Sequence, residues 1–502
     1  MSLFKHSNHA KKVFSLGRPE AEAEFHQTSA APSLKNIFID EIGAIDAIGS
    51  GRFIITGRKG AGKSAIVGYI QLNSHPEVIN TSYCSVVKPF IEHSNTFLAH
   101  DPTINSSVVA YEWIIISKLI RMILDTGQGT YTPEIRALNK FYKKYDSLFD
   151  VDNFIKEGAN VKQTMSVNIL LATFSTSFTR EISKNETEGR PFYSFIPGLY
   201  GVIRRILKMQ VFEDYEFTVL FDDLDVGFNL KDDSHRNRIL SLIRIAKDIN
   251  YDSVFINKVR ILLFLRDDVK RNLIGFACDC SKLFGSYEFP INWFEGRNVP
   301  EHKFKLKKIT NKRLQANFEM REMTYNQADP WCSYIKVDGR LSSSIFMSLL
   351  DYTFYRPRDI INLFLPLDLQ SDYEIPLNYN HLKSLLKMFA EKIYEEFNDE
   401  ISIFTDEKER NAIKFLIGRF VSITKNDEHM SYSDFLKLIN PPLEASIIET
   451  LYEYDVIGLI DNIGDSHYHF RGSFPSIPFE ECSICVPNII RLYFDRSTTI
   501  RL

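Results

Sequence analysis

The sequence predicts an α/β protein built on a parallel sheet, and three observations carry that reading. Apolar runs at 53–55, 217–221 and 259–265 are short, rich in Ile, Leu, Val and Phe, and stop abruptly at glycine or charge. Parallel strands buried on both faces read as such near-continuous runs. Between them lie longer stretches with apolar residues at helical spacing, including Val108 to Leu124, Thr132 to Tyr145 and Tyr193 to Met209. The charges that end the runs also sit at strand carboxyl ends, where open α/β sheets bind ligands.

The first run leads into Gly57-Arg58-Lys59-Gly60-Ala61-Gly62-Lys63-Ser64-Ala65, which fits Gly-x4-Gly-Lys-Ser at every fixed position. Strand, glycine turn and helix start follow one another here. Glycines permit a backbone path in which successive N–H groups turn inward around an anion. The following helix adds its free N–H groups and positive dipole end. In this pattern Lys63 reaches the β- and γ-phosphates of a nucleotide, and the Ser64 hydroxyl ligates Mg²⁺.

The second run ends in Asp222-Asp223-Leu224-Asp225. Asp222 is the candidate to hold Mg²⁺, and Asp223 stands where a second acid polarises an attacking water. Asp225 either orients a basic neighbour or begins a loop. The third run ends in Arg266, placed to sense a γ-phosphate. The fourth motif is Arg356-Pro357-Arg358-Asp359, in which Pro357 suits a first helical turn and Arg358 projects from the helix start.

In order and character these four motifs resemble the AAA+ and STAND branch of P-loop ATPases. Asp222 to Asp225 is similar to the Walker B string of the KAP and NACHT groups, Arg266 to a sensor 1, and Arg358 to a sensor 2. The pairing also resembles a class of bacterial P-loop ATPases, several encoded near mobile-element or phage-defence genes. The resemblance spans about residues 34–365. It implies a nucleotide-driven switch in an oligomer, with ATP and Mg²⁺ as cofactors and a separately encoded effector, such as a nuclease, as partner. The long interval from Lys63 to Asp222, and Asp223 where glutamate is usual, depart from the pattern, and the shorter Asp223 side chain points to slow, switch-like turnover. Arg236, Arg238 and Arg271 are the candidates for an arginine acting on a neighbouring subunit.

The remaining chain fills out this plan. At 502 residues the chain is long for one core, so two to four domains are expected. The expected divisions are an N-terminal arm at 1–33, a P-loop core at 34–300 with a helical insertion at about 100–210, and a helical lid at 301–400. A winged-helix-like domain at 401–475 and a tail at 476–502 complete them. Leu34 to Ile48 has helical spacing and either borders the adenine or packs on the sheet. The run Lys303 to Lys308, with Lys312 and Arg313, is the one local basic cluster; it reads as a solvated face before it reads as a nucleic-acid contact. The third helix of the winged domain, Leu443 to Asp455, carries four carboxylates and no lysine or arginine, which opposes DNA phosphate.

The net charge of −4 gives no global attraction to nucleic acid or anionic membranes. The most apolar helical stretch, Trp113 to Leu124, is too short to span a bilayer and contains Lys118 and Arg121. With no apolar signal core near the N-terminus, the expected location is the cytoplasm. Cys482 and Cys485 form a lone C-x-x-C without the second pair a zinc site needs, so reduced thiols are expected. The expected activity is therefore Mg²⁺-dependent ATP hydrolysis. A DNA-associated motor or loader, and an ATP-sensing scaffold with little hydrolysis, are the alternatives.

Overall fold

The structure, a computed structural model, describes residues 14–28, 31–74, 81–88, 106–144, 164–165, 190–191, 196–224, 232–296, 299–337, 342–369, 374–402, 405–425, 427–472, 474–498 and 500. Asp225 lies outside them. The chain forms two compact units. One contains Ala44–Arg58 and Ile66–Pro290; the other takes in the chain up to Gly43, Lys59–Ala65, and everything from Ile291 onward.

The first unit is an α/β fold around five parallel strands. These are β1 (Ile54–Gly57), β2 (Ser82–Val87), β3 (Glu216–Phe221), β4 (Val259–Arg266) and β5 (Glu288–Pro290), in the order β2-β3-β4-β1-β5. Every neighbouring pair is parallel. Val87 is in register with Phe221, Phe221 with Leu263, and Gly57 with Arg266. All strands run the same way, so their carboxyl ends share one edge of the sheet. Ile54, Ile55, Val219, Leu220, Ile261 and Leu263 are fully buried, as strands covered on both faces require.

The helices that cover the sheet follow from their apolar stripes. The helix α1 (Ala44–Gly49) precedes β1, and α2 (Lys63–Asn73) follows the glycine turn. The long α3 (Ser106–Asp125) packs on β2, β3 and α6 and buries Trp113, Ile116, Leu119 and Ile123 completely. Then come α4 (Pro133–Lys144), α5 (Ile196–Leu207), α6 (Asp233–Asn250), α7 (Asp267–Leu273) and α8 (Cys280–Tyr287). The amino end of α6 is capped by Asp232, whose side chain accepts from the Ser234 N–H at 2.8 Å. Thus the helical stretch between the second and third strands includes a helix laid directly on the sheet.

The second unit is mainly helical. Its elements are α9 (Lys305–Met320), α10 (Pro357–Phe364), α11 (Tyr379–Ile401), α12 (Glu407–Ile423), α13 (Tyr432–Leu436), α14 (Ile447–Glu453) and α15 (Asn488–Phe494). A small sheet orders β8 (Ser466–His467), β7 (Gly458–Ile460), β9 (Ser483–Cys485) and β6 (His429–Ser431). Within 401–475, the stretch expected to be winged-helix-like, α12, α13 and α14 precede the β7–β8 hairpin. The tail supplies β9, between the hairpin and β6, and then α15. Cys482 and Cys485 are buried as free thiols, and burial pushes the Cys485 thiol up to about 11.

The stretch expected as one helix from Leu34 to Ile48 is broken. Leu34–Ile37 forms a single turn, and the chain re-enters helix only at Ala44, after Gly43 at φ +76°. Residues 14–24, within the expected N-terminal arm, are anchored. Phe14 stacks on Tyr334 with ring centroids 5.0 Å apart and meets Phe318 edge-on, also at 5.0 Å. The Ser15 hydroxyl donates to Asp368 at 2.7 Å. Buried Glu24 receives two bonds from Arg313, at 2.7 and 2.9 Å. Gly17 adopts φ +122°, and a Cβ there would lie 2.0 Å from the Glu24 carboxylate, so only glycine fits.

The same unit explains the basic run. Lys307 is buried and bonds Glu301 and Asp329, the latter at 2.9 Å. Lys308 meets Glu41 at 2.7 Å, Lys305 meets Glu295 at 3.5 Å, and Arg313 is held by Glu24. These four cations are paired with carboxylates of the same chain, which removes most of the cluster's attraction for phosphate, while Lys303 and Lys308 remain exposed.

Candidate functional site

The glycine turn links β1 to α2, as its spacing predicts. Gly60 and Gly62 take φ of +80° and +97°, the left-handed region in which a side chain is strained. The turn, Lys59–Ala65, belongs to the helical unit, and donors of that same unit set its orientation. Arg356 Nη1 donates to the Lys59 carbonyl at 3.1 Å. Trp293 Nε1 donates to the Ala61 carbonyl at 2.9 Å. The Arg358 N–H donates more distantly, at 3.5 Å, to the Gly60 carbonyl.

A trans peptide points its N–H opposite to the carbonyl it shares. With the carbonyls of residues 59, 60 and 61 turned toward these donors, the N–H groups of Gly60, Ala61 and Gly62 face the other way. Among the described residues none of those three N–H groups has a hydrogen-bond partner. Three successive unpaired N–H groups before a helix start form an anion cradle. Lys63, Ser64 and Ala65, at the start of α2, are half-buried, and no acid occupies that helix's first turn to compete with an anion.

Close packing explains the second glycine position. A Cβ on Gly60 would meet Arg358 Cβ at 3.0 Å and Cδ at 3.1 Å. Arg358 itself donates from Nε to the Pro19 carbonyl at 3.2 Å, so its guanidinium is steered by the anchored N-terminal segment. Its neighbour Arg356 is of another kind. Fully buried, it bonds Asp359 through Nε at 2.9 Å and Nη2 at 2.6 Å, and reaches Glu396 at 3.4 Å. Burial works against its charge, but Asp359 and Glu396 outweigh this and raise its pKa further. Asp359 also accepts from the Phe354 N–H at 2.8 Å, closing the turn in which Tyr355 is held at φ +54°.

The sheet unit places the acids and Arg266 at the shared carboxyl edge. Asp222 is buried just beyond β3, and its N–H donates to the Val87 carbonyl at 3.1 Å. Asp223 adopts φ +56°, a conformation uncommon for a residue with a side chain and frequent at functional sites. Its carboxylate is 2.9 Å from Lys88 Nζ at the end of β2. Arg266 is beside Gly57 in the sheet register, and its guanidinium forks onto Asp268 at 3.0 and 2.5 Å. Of the candidate arginines for a neighbouring subunit, Arg238 is buried, while Arg236 bonds Asp233 and lies 4.5 Å over the Phe276 ring.

Sequence reading missed Trp293 and Lys88. Trp293 carried a faint signal, a lone indole three residues after a strand; Lys88 carried a better one, a cation directly ending an apolar run.

No family model matches the chain. It is 21% identical over 332 residues to a putative transposon gamma-delta 80.3 kDa protein of Escherichia coli strain K12, an alignment covering 62% of this chain. The match spans only 41% of that relative's length. Among solved structures, Cdc6p from Pyrobaculum aerophilum aligns at 10% identity over 93% of this chain and 94% of its own, with a TM-score of 0.27. Among the described residues no helix is long and apolar enough to cross a membrane.

Proposed function

We propose that the chain is a Mg²⁺-dependent ATPase that works as a conformational switch. The observation that carries this is the aligned set of N–H groups at Gly60, Ala61 and Gly62, followed directly by Lys63 and Ser64 at a helix start. The fit is chemical as well as geometric. Glycines at positive φ leave room for phosphate oxygens, and a hydroxyl and a carboxylate are the hard oxygen donors Mg²⁺ takes. In this reading Gly57 to Ala65 wraps the phosphates, Lys63 neutralises them, and Ser64 and Asp222 are the protein ligands of the metal. The bound metal supplies charge neutralisation on the phosphates.

Asp223 would orient the attacking water, and its ion pair with Lys88 sets its starting position. Arg266 and Arg358 would report loss of the γ-phosphate, Arg358 doing so through the N-terminal segment it already holds. The biological role that goes with this reading is a regulatory, oligomeric subunit of a prokaryotic anti-phage defence system, acting on a separate effector. The motif resemblance to bacterial ATPases near mobile-element and defence genes supports that role, and the transposon-encoded relative is consistent with it. The intramolecular pairing of the basic run disfavours a DNA motor.

The test is phosphate release by wild type and Lys63→Ala, with particle mass measured with and without ATP. Loss of the lysine should lower turnover by about 100-fold or more, and ATP-dependent assembly should disappear with it. A wild type that neither binds nor hydrolyses nucleotide overturns the proposal.

A further inference from the structure

The sheet unit contains a pocket that has no part in the nucleotide chemistry. It has a volume of about 360 Å³, within the range of small-molecule sites, and lies among α3, α5, α6 and the turn after α6. Its polar lining includes Glu112, Tyr200, Arg204, Arg244, Asp248 and Asp252.

The charges there do not balance. Arg204 is matched by Asp252 at 2.5 Å and lies 5.2 Å over the Phe255 ring. Arg244 is matched by Asp279, with bonds of 2.9 and 2.8 Å. That leaves Glu112 and Asp248, whose side chains have neither a hydrogen bond nor an ion pair among the described residues. Burial, and then the repulsion of Asp248, push the Glu112 carboxyl above its ordinary pKa. Glu112 is half-buried and Asp248 exposed at the pocket mouth, so water screens part of the repulsion, and a cation seated between them would relieve the rest.

A second, independent sign is the Tyr200 hydroxyl. It is buried, lines the same pocket and has no hydrogen-bond partner among the described residues. Desolvation, with the Glu112 charge second, raises its pKa. A buried polar group left unpaired calls for an explanation, and a missing ligand is one. The rest of the wall is Ser241, whose hydroxyl donates to the Asn237 carbonyl at 2.8 Å, and the apolar Val108, Ile245, Ile249 and Phe255.

We propose that this pocket binds a primary alkylammonium group, its head on Glu112 and Asp248, with the Tyr200 hydroxyl beside it, and its methylenes against Ile245, Ile249 and Phe255. A divalent ion fits less well: among the described residues no group of three metal-ligating side chains forms here. A carboxylate or phosphate ligand would meet two unpaired acids. The head group is therefore a cation with N–H donors on an aliphatic stem, supplied by a free amine or by a lysine side chain of another protein.

Calorimetric titration of the full chain with 1,4-diaminobutane and with N-acetyl-lysine methylamide tests this, with tetramethylammonium as a cation lacking N–H donors. Wild type should bind at least one of the two amines at one site per chain and should not bind tetramethylammonium. Binding of the diamine alone assigns the site to free amines, and binding of the lysine amide alone to a partner's side chain. Glu112→Gln and Asp248→Asn should each weaken binding by about tenfold or more, since each removes a charged hydrogen-bond acceptor. Tyr200→Phe should weaken it by a few-fold. Circular dichroism and urea unfolding establish that the variants are folded; removing one of two repelling acids should not lower stability. Failure of both amines to bind wild type overturns the proposal, as does undiminished binding to a folded Glu112→Gln/Asp248→Asn chain.

Discussion

The two units of this molecule use charge in opposite ways. In the sheet unit, charge sits at the tips of apolar strands and is placed by the backbone: Asp222, Asp223 and Arg266 reach one edge because β3 and β4 run in parallel. In the helical unit, charge is matched across long sequence distances. Glu24 pairs with Arg313, Glu41 with Lys308, and Arg356 reaches both Glu396 and the Lys59 carbonyl. The strand fixes where such a residue stands, even though Asp223 and Arg266 also hold Lys88 and Asp268, whereas a buried matched cation depends on its partner. Removing a residue from the first arrangement should cost chemistry, and from the second, stability.

The sharpest division runs within one motif. Arg356→Ala strands Asp359 and Glu396 without their cation and should lower unfolding free energy by about 3–5 kcal/mol in urea, and Arg356→Lys should not restore it, because one ammonium cannot replace the fork. Arg358→Ala should lose nucleotide response with little loss of stability; an equally large stability loss would erase the distinction between the two arginines. Phe14→Ala should cost about 3 kcal/mol by the same measurement, as the ring is buried between Phe318 and Tyr334; a neutral result would mean the N-terminal segment is not part of the unit. Trp293→Phe removes one donor and leaves the Ala61 carbonyl unpaired. It should cost about 1 kcal/mol and weaken nucleotide binding, read by titration. The smallest effect is expected for Lys308→Ala, below about 0.5 kcal/mol, since that pair is half-exposed.

How far the sequence was legible follows the same division. The strands, the glycine turn and the strand-end residues could be read because each signal lies within about ten consecutive residues. The helices α3, α4 and α5 were legible from their apolar spacing, and the three helices and hairpin of the C-terminal region from their order. The donors that orient the turn were not legible. Arg356 and Lys59 are 297 positions apart, and nothing local to either says they meet. Burial of Lys307 and Glu24 runs against the usual exposure of such residues, so composition pointed the wrong way for both. Leu34 to Ile48 misled for a different reason: its apolar period continues through Gly43, where the backbone breaks.

The grip on the three carbonyls has a thermodynamic consequence. An anion that needs those peptides aligned must favour the bonds from Trp293, Arg356 and Arg358 by the same free energy with which they favour it, because coupling between sites is reciprocal. Amide hydrogens in α10 should therefore exchange more slowly when the cradle is filled, although α10 begins almost three hundred residues beyond the loop. Conversely, a partner that pries this helix away would let three peptides rotate together, and anion affinity would fall in a step rather than a gradient. The loop's memory of its shape is stored in a distant part of the chain.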